Sequence, residues 1–489
     1  MAEYTFPPVC REIPYESPDK IYRTLRSRNS LLLESVKGSE QTGRYSFIGF
    51  DPYLTFTVKD GLVEIEFAGR RTVSSRNPLQ RLRELILSYR QETIGGLPPF
   101  QGGAAGMFTY DFVHYLERIP KNGVDDLGLP DAHFFMIDRL VAFDHVMRKS
   151  WVIICPGVRK TVLGYCEIYE EKDACVNEAE KTLEDVVERI RTGLSILPPG
   201  HAVRDDGTGI NAAGGTLIRY DVEKDLYVGM VKKAKEYIAA GDIFQANLSL
   251  RVSAEVKGKD PWQIYATLRE VNPSPFSSFV DFGDYQMASS SPERLVRVRN
   301  GIIDTRPIAG TRPRGKDRGE DETMRAELLL NEKERAEHIM LIDLERNDIG
   351  RVSDYGSVLV DELMVTEDYS HVIHIVSNVR GALAPGKDCF DVIRATFPGG
   401  TITGVPKVRC MEIIDEIEPF RRGPYTGSLG YIGFNGNMDL NIIIRTFVIK
   451  DGTAYIQAGA GIVADSDPER EYSESLKKAE ALIRTLERM

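Results

Sequence analysis

The chain has 489 residues, 42% of them apolar and 28% charged, with a formal net charge of −11. That length holds two or three ordinary domains or one large interleaved one, and the composition is that of a soluble enzyme. The acidic balance argues against a nucleic-acid or anionic-membrane partner.

The start, MAEYTFPP, has no charged region followed by an apolar core, and no apolar run reaches the roughly 18 to 20 residues of a membrane helix. Along residues 1–150, the runs SLLLESV, GRYSFIGF and LTFTVKDGLVEIEF read as strands. The last has a Lys-Asp-Gly turn between alternating apolar residues, a hairpin signal. A helix is expected from Pro78 to Arg90, where leucines recur at helical spacing, and FQGGAAGMFTYDF then opens another strand. Residues 173–194 read as an amphipathic helix, and PPGHAVRDDGTGINAAGG after it reads as a linker or mobile loop. That break divides the chain near residue 215 into parts 1–215 and 216–489, and no internal repeat is visible.

The second part opens with a helix from Asp221 to Ala240, ended by Gly241, and the strand IFQANLSLRVSAEV. SPERLVRV, the turn-rich TRPIAGTRPRG and a helix from Asn331 to about Leu344 follow. Next come DYSHVIHIVSNVRGAL, FPGGTITGVPK, a helix around Arg409 to Ile417, and three strands: YTGSLGYIGF, LNIIIRTFVIK and TAYIQAGAGIVAD. Strands and helices out of strict alternation predict an α+β class with large, mostly antiparallel sheets. The six cysteines show no CxxC spacing, which suits a reduced, cytoplasmic protein. Seven histidines with neither HxxxH nor a Cys/His cluster argue against zinc.

Several charged groups sit where chemistry is possible. A helix begun at Asp467-Pro468 puts Glu471, Glu474 and Lys478 on one face, and the helix from Asn331 does the same for Glu334 and Glu337. Four carboxylates on two helices form a hard, oxygen-only set suited to Mg²⁺ and an anionic substrate; two solvated faces are the alternative. Gly459 and Gly461, just before the second acidic helix, either let the backbone approach a ligand or simply turn the chain. His374 alternates with apolar residues, as a core histidine or a proton carrier would. Arg445, in an apolar strand, needs an anion: an internal carboxylate, or a ligand carboxylate shared with the Tyr425 hydroxyl of a neighbouring strand.

The motifs LERNDIGRV, SHVIHIVSNV, FPGGTITGVPK, IRTF and AGAGIVADSDPEREY, in that order, resemble those of the chorismate-utilising enzymes. These include anthranilate, aminodeoxychorismate, isochorismate and salicylate synthases. The likeness is dense over residues 218–487, and LLLES, GRYSFIG and PFQGGAAG extend it to the amine-transferring members. It implies one large interleaved α/β sandwich, its helices outside, holding chorismate and Mg²⁺ between its parts. By motif, Glu337 and Glu474 would ligate the metal, with Glu334 and Glu471 behind them. Tyr425, Arg445, the Gly459 and Gly461 amides and Lys478 would hold the substrate carboxylates. His374 and Thr401 would lie near the reacting ring carbon, Glu293 would serve as acid or base at the leaving hydroxyl, and Ala309 and Thr311 would line the pocket.

Relatives that add water carry a lysine base where this chain has Gln245, so the resemblance implies an ammonia user. No nucleophile-elbow cysteine with a downstream His-x-Glu is present, which implies a separate glutaminase subunit. Between the two amine products, the NPSPFSSF loop and the FQGGAAGMFTYDFVHYLERIP stretch favour 4-amino-4-deoxychorismate, with anthranilate as the alternative. LLLES, with Ser35, and the NPSPF loop, with Pro273 and Phe276, resemble the tryptophan pocket of both amine-using groups, and the altered loop bears on whether tryptophan inhibits.

Overall fold

The computed structural model describes residues 6–36, 43–89, 91–162, 172–196, 217–368 and 372–489. The expected linker at 198–215, Arg90, Cys166 and the His371 of SHVIHIVSNV lie outside the described residues, and the helix expected from Pro78 to Arg90 ends earlier, at Leu87. Among the described residues, no helix is long and apolar enough to cross a membrane.

The hairpin signal forms as read. Leu54–Lys59 pairs with Leu62–Phe67, and Asp60 and Gly61 turn the chain at φ +48° and +82°. Both central residues in the left-handed region make the turn whose twist matches the flanking strands.

Among the described residues such pairs assemble into two twelve-stranded antiparallel sheets, each a row of eleven strands with a twelfth paired off the row: Gly404–Val405 on Gln245–Glu255 in one, Leu359–Asp368 on Val372–Ala382 in the other. One runs from Val9–Ile13 through Lys149–Ile154, Arg139–Asp144, Tyr45–Gly49 and Ser30–Glu34 to Phe276–Asp281, then Tyr285–Ser291, Thr446–Lys450, Thr453–Ile462, Gln245–Glu255 and Ile218–Tyr220. The other runs from Ile308–Pro313 through Val372–Ala382, Ile302–Thr305, Arg294–Arg299, Met438–Asn441 and Ser428–Gly433 to Gly103–Phe108, then Ala132–Ile137, Leu54–Lys59, Leu62–Phe67 and Arg70–Ser74. Early and late parts of the chain therefore meet inside both sheets, where Phe276–Asp281 pairs with Ser30–Glu34 and Ser428–Gly433 with Gly103–Phe108. This is the interleaved α+β sandwich expected.

Strand alternation sorts the core into layers. Leu31, Phe47, Phe100, Met107, Phe135 and Tyr431 pack in the layer between the sheets. Their neighbours Leu32, Ile48, Phe108, Phe134 and Ile432 point the other way, into the layer shared with the helices. Each fully buried side chain of this kind contributes about 1.5–3 kcal/mol. The helix Lys172–Ile196 buries Cys175, Ala179, Leu183, Val186 and Ile190, one stripe at helical spacing.

The chain changes sheets twice at one place. Pro292 and Glu293 connect Tyr285–Ser291 in the first sheet to Arg294–Arg299 in the second. Ile442–Arg445 returns from Met438–Asn441 in the second to Thr446–Lys450 in the first. The crossovers bind each other: Ile442 N–H donates to the Glu293 carbonyl at 3.0 Å, and Ser290 N–H to the Arg445 carbonyl at 3.1 Å.

LNIIIRTFVIK is thus not one strand. Its apolar run reflects burial of the crossover, and Arg445 sits in a non-strand conformation at φ +50°. Tyr425 likewise lies in the turn before Ser428–Gly433, not in a strand. TRPIAGTRPRG, by contrast, forms the strand Ile308–Pro313, with a register shift between Ala309 and Thr311 and Gly310 at φ +64°. The acidic helix extends to Gly350 and starts at Glu332, its N-terminus capped by the Asn331 side chain.

Candidate active site

The first wall of the site is the strand Gln245–Glu255. Its polar residues Gln245, Asn247, Ser249, Arg251 and Ser253 alternate with buried Ala246, Leu248, Leu250 and Val252. Antiparallel pairing sets Gly461 opposite Asn247 and Gly459 opposite Ser249. A Cβ on Gly461 would fall 2.3 Å from Gln245 Nε2. One on Gly459 would fall 2.3 Å from the Leu248 carbonyl oxygen and 2.9 Å from the Tyr425 hydroxyl. Glycine is required here by close approach, and the Tyr425 hydroxyl is brought onto the glycine strip.

The two acidic helices flank this wall. Glu337 accepts from Gln245 Nε2 at 3.2 Å. Lys478, on the helix Pro468–Glu487, donates to the Gly459 carbonyl at 3.1 Å and pairs with Glu474 at 3.0 Å. Glu334 faces Gly310 and lies 3.4 Å from Arg312. Glu471 shares the helix face of Glu474. Among the described residues no three His, Cys, Asp or Glu side chains converge as a metal cluster.

The crossovers form the floor. Glu293 is buried, and Thr401, in the turn Gly400–Ile402, donates to its Oε1 at 3.0 Å. Burial pushes the Glu293 carboxyl up to about 7, against the opposing pull of Thr401, Arg445 and Lys478. Arg445 and Lys478 both act on Glu293, so the residues proposed for the substrate carboxylates surround the proposed acid.

His374, on Val372–Ala382, is buried, with Nδ1 3.1 Å from the Gly310 carbonyl oxygen. That acceptor places the proton on Nδ1. Burial brings the imidazole down to about 4, so it is neutral near pH 7. Ala309 is buried in the facing strand, and Thr311 pairs in register with His374; the Thr311 side chain lies outside the described residues.

A separate cavity of about 290 Å³ opens between the sheets. Ser35 and Phe276 line it, as do Arg294, Arg299 and Tyr431. Pro273 does not; Pro275 takes that place, its carbonyl accepting from Ser35 Oγ at 3.0 Å. Arg294 is held beneath the Phe276 ring and donates to both carboxylate oxygens of Asp439, at 2.8 and 3.1 Å. It directly follows Glu293, so cavity and acid share one crossover.

Four residues of the site escaped the sequence reading. Asn247 was signalled only by the polar alternation of its strand. Arg422 and Glu418 form a buried pair under the Tyr425 ring. Glu345 is buried, raised to about 8 by burial and by Asp348, and within electrostatic reach of Glu293.

Geometry and comparison agree on the class. The chorismate binding enzyme model matches residues 21–484, and the chain belongs to that family. It is 42% identical over 492 residues to anthranilate synthase component 1 of Acetivibrio thermocellus, covering 99% of this chain and 96% of that protein. It is 43% identical over 488 residues to aminodeoxychorismate synthase component 1 of Bacillus subtilis, covering 98% and 97%. Anthranilate synthase component I from Streptococcus pneumoniae TIGR4 superposes with a TM-score of 0.77 at 36% identity, covering 96% of this chain and 98% of that one.

Proposed function

We propose that this chain aminates chorismate with ammonia delivered by a separate glutaminase subunit, forming 4-amino-4-deoxychorismate. The observation that carries the ammonia reading is Gln245. Its amide donates to Glu337, and glutamine cannot deprotonate water, whereas neutral ammonia is nucleophilic enough to attack without a base. Similarity to component 1 proteins supports a partner subunit as the ammonia source.

Chorismate is a dianion with a poor leaving group. Arg445, Lys478, the Tyr425 hydroxyl and the Gly459–Gly461 backbone supply charge and donors for two carboxylates. Glu293, protonated over much of the neutral range, gives its proton to the departing hydroxyl, and Thr401 orients it. His374 is neutral, and its Nδ1–H is spent on Gly310, so it shapes the pocket near the ring rather than supplying the proton.

The carboxylate oxygens of Glu334, Glu337, Glu471 and Glu474 suit Mg²⁺ in chemistry. The Glu474–Lys478 pair is about half exposed and therefore weakly held, leaving Glu474 available for an ion. Glu337 and Glu474 would hold it, and when bound it would stabilise negative charge on the substrate's ring carboxylate.

A second reading is anthranilate synthesis: a lysine in the motif of Ala309 marks some aminodeoxychorismate synthases, so alanine there suits either anthranilate synthesis or direct addition of ammonia to form aminodeoxychorismate. Product analysis with chorismate, Mg²⁺ and ammonium decides. Aminodeoxychorismate, convertible by a lyase to 4-aminobenzoate, supports the first reading; fluorescent anthranilate with pyruvate supports the second. Absence of ammonium-dependent chorismate loss would overturn both.

A further inference from the structure

Among the described residues, two side-chain oxygens on the first wall have no hydrogen-bond partner. Gln245 Oε1 and Asn247 Oδ1 are each buried without a hydrogen bond among the described residues. Gln245 is 6% exposed and Asn247 9%. A buried, unsatisfied acceptor costs about 1–3 kcal/mol, so two on one strand face need a reason. Hydrogen bonding fixes the orientation of one of them: because Gln245 Nε2 donates to Glu337, the atom left over is its acceptor.

The two residues are two positions apart on one strand and point to the same face, with backbones roughly 7 Å apart. Asn247 Oδ1 would lie 3.0 Å from a Cβ on Gly459, and the Tyr425 hydroxyl 2.9 Å from the same point. The orphaned oxygens thus border the strip assigned to the substrate carboxylates.

We infer that Asn247 and Gln245 hold the incoming ammonia, each side-chain oxygen accepting one of its N–H groups. This rests on the ammonia reading above and specifies how the nucleophile is bound. Ammonia has three donors and one lone pair. Two acceptor oxygens engage two of the donors and leave the lone pair free to face the ring, and one N–H of Gln245 is committed to the Glu337 carboxylate. The lone pair forms the C–N bond, and the C–O bonding pair departs with the hydroxyl, which takes the Glu293 proton and leaves as water. The new amine remains as ammonium near neutral pH, and Glu293 regains its proton from solvent.

The test is initial-rate kinetics of the full chain, varying ammonium at saturating chorismate and chorismate at saturating ammonium. Asn247→Ala should raise the KM for ammonium about tenfold, the equivalent of one hydrogen bond, and leave the KM for chorismate within about twofold. Asn247→Asp, which keeps an acceptor in place, should recover most of the loss. A raised chorismate KM with an unchanged ammonium KM would overturn the inference, as would an aspartate variant no better than alanine. If the alanine variant does not fold, Asn247→Ser carries the same comparison. A wild-type chain that consumes no chorismate with ammonium defeats the proposed function itself; an active wild type with an indifferent Asn247 defeats only the cradle.

Discussion

At Glu293 catalysis and stability pull apart. A carboxyl raised from the ordinary range to about 7 binds more protons folded than unfolded. Stability therefore falls as pH rises from about 4.3 toward 7, then levels. Glu293→Gln removes that loss. It should melt above the wild type at pH 8, by up to about 3 kcal/mol of stability, and no higher near pH 4, which calorimetry at both values would check. The same variant should lose at least about a hundredfold in ammonium-dependent turnover, the scale of a general acid. Wild-type kcat should decline as pH rises through about 7. Glu474 has the opposite profile. It is exposed and pairs only with its own helix neighbour among the described ion pairs, so Glu474→Ala should leave the melting temperature unchanged and abolish Mg²⁺-dependent turnover. Near-normal activity in that variant would take the acidic helix out of the site.

The critical elements are the paired strands Gln245–Glu255 and Thr453–Ile462, whose close approach at Gly459 allows no side chain. Gly459→Ala should lower the melting temperature and raise the chorismate KM at least tenfold, readable by a thermal melt beside steady-state kinetics. Elements of this kind were legible because their signals are local. Both strands were read from their own runs, and Asp467-Pro468 marked the start of the last helix, where the Asp467 side chain accepts from Arg470 N–H. The crossovers were not legible. In Ile442–Arg445, burial between two sheets produces the same apolar run as burial within one, and no glycine or proline marks the φ +50° at Arg445. The site residues carried by motif were readable one at a time. Their meeting, as at Glu293 and Thr401, depends on contacts more than a hundred residues apart in the chain.

For the whole molecule, the order of strands and helices, out of strict alternation, pointed to the α+β class, while the pairing of early with late strands came only through the family likeness. No periodicity encodes which edge a strand will join. The interleaving has a direct consequence for dissection. A fragment of residues 217–489 lacks one of the two neighbours of Phe276–Asp281 and of Ser428–Gly433, so it should be unfolded or aggregated alone and regain cooperative unfolding when co-produced with residues 1–196. A soluble, two-state 217–489 fragment would contradict the two-sheet architecture. The same topology bears on how the protein is made. The Gly103–Phe108 strand leaves the ribosome with one edge bare, and its partner Ser428–Gly433 is translated about 320 residues later, roughly 15 to 65 seconds at ordinary elongation speeds. Over that interval the nascent chain presents an apolar, unpaired strand edge, so its yield in the cell depends on chaperone shielding and translation pace as well as on the stability of the finished fold.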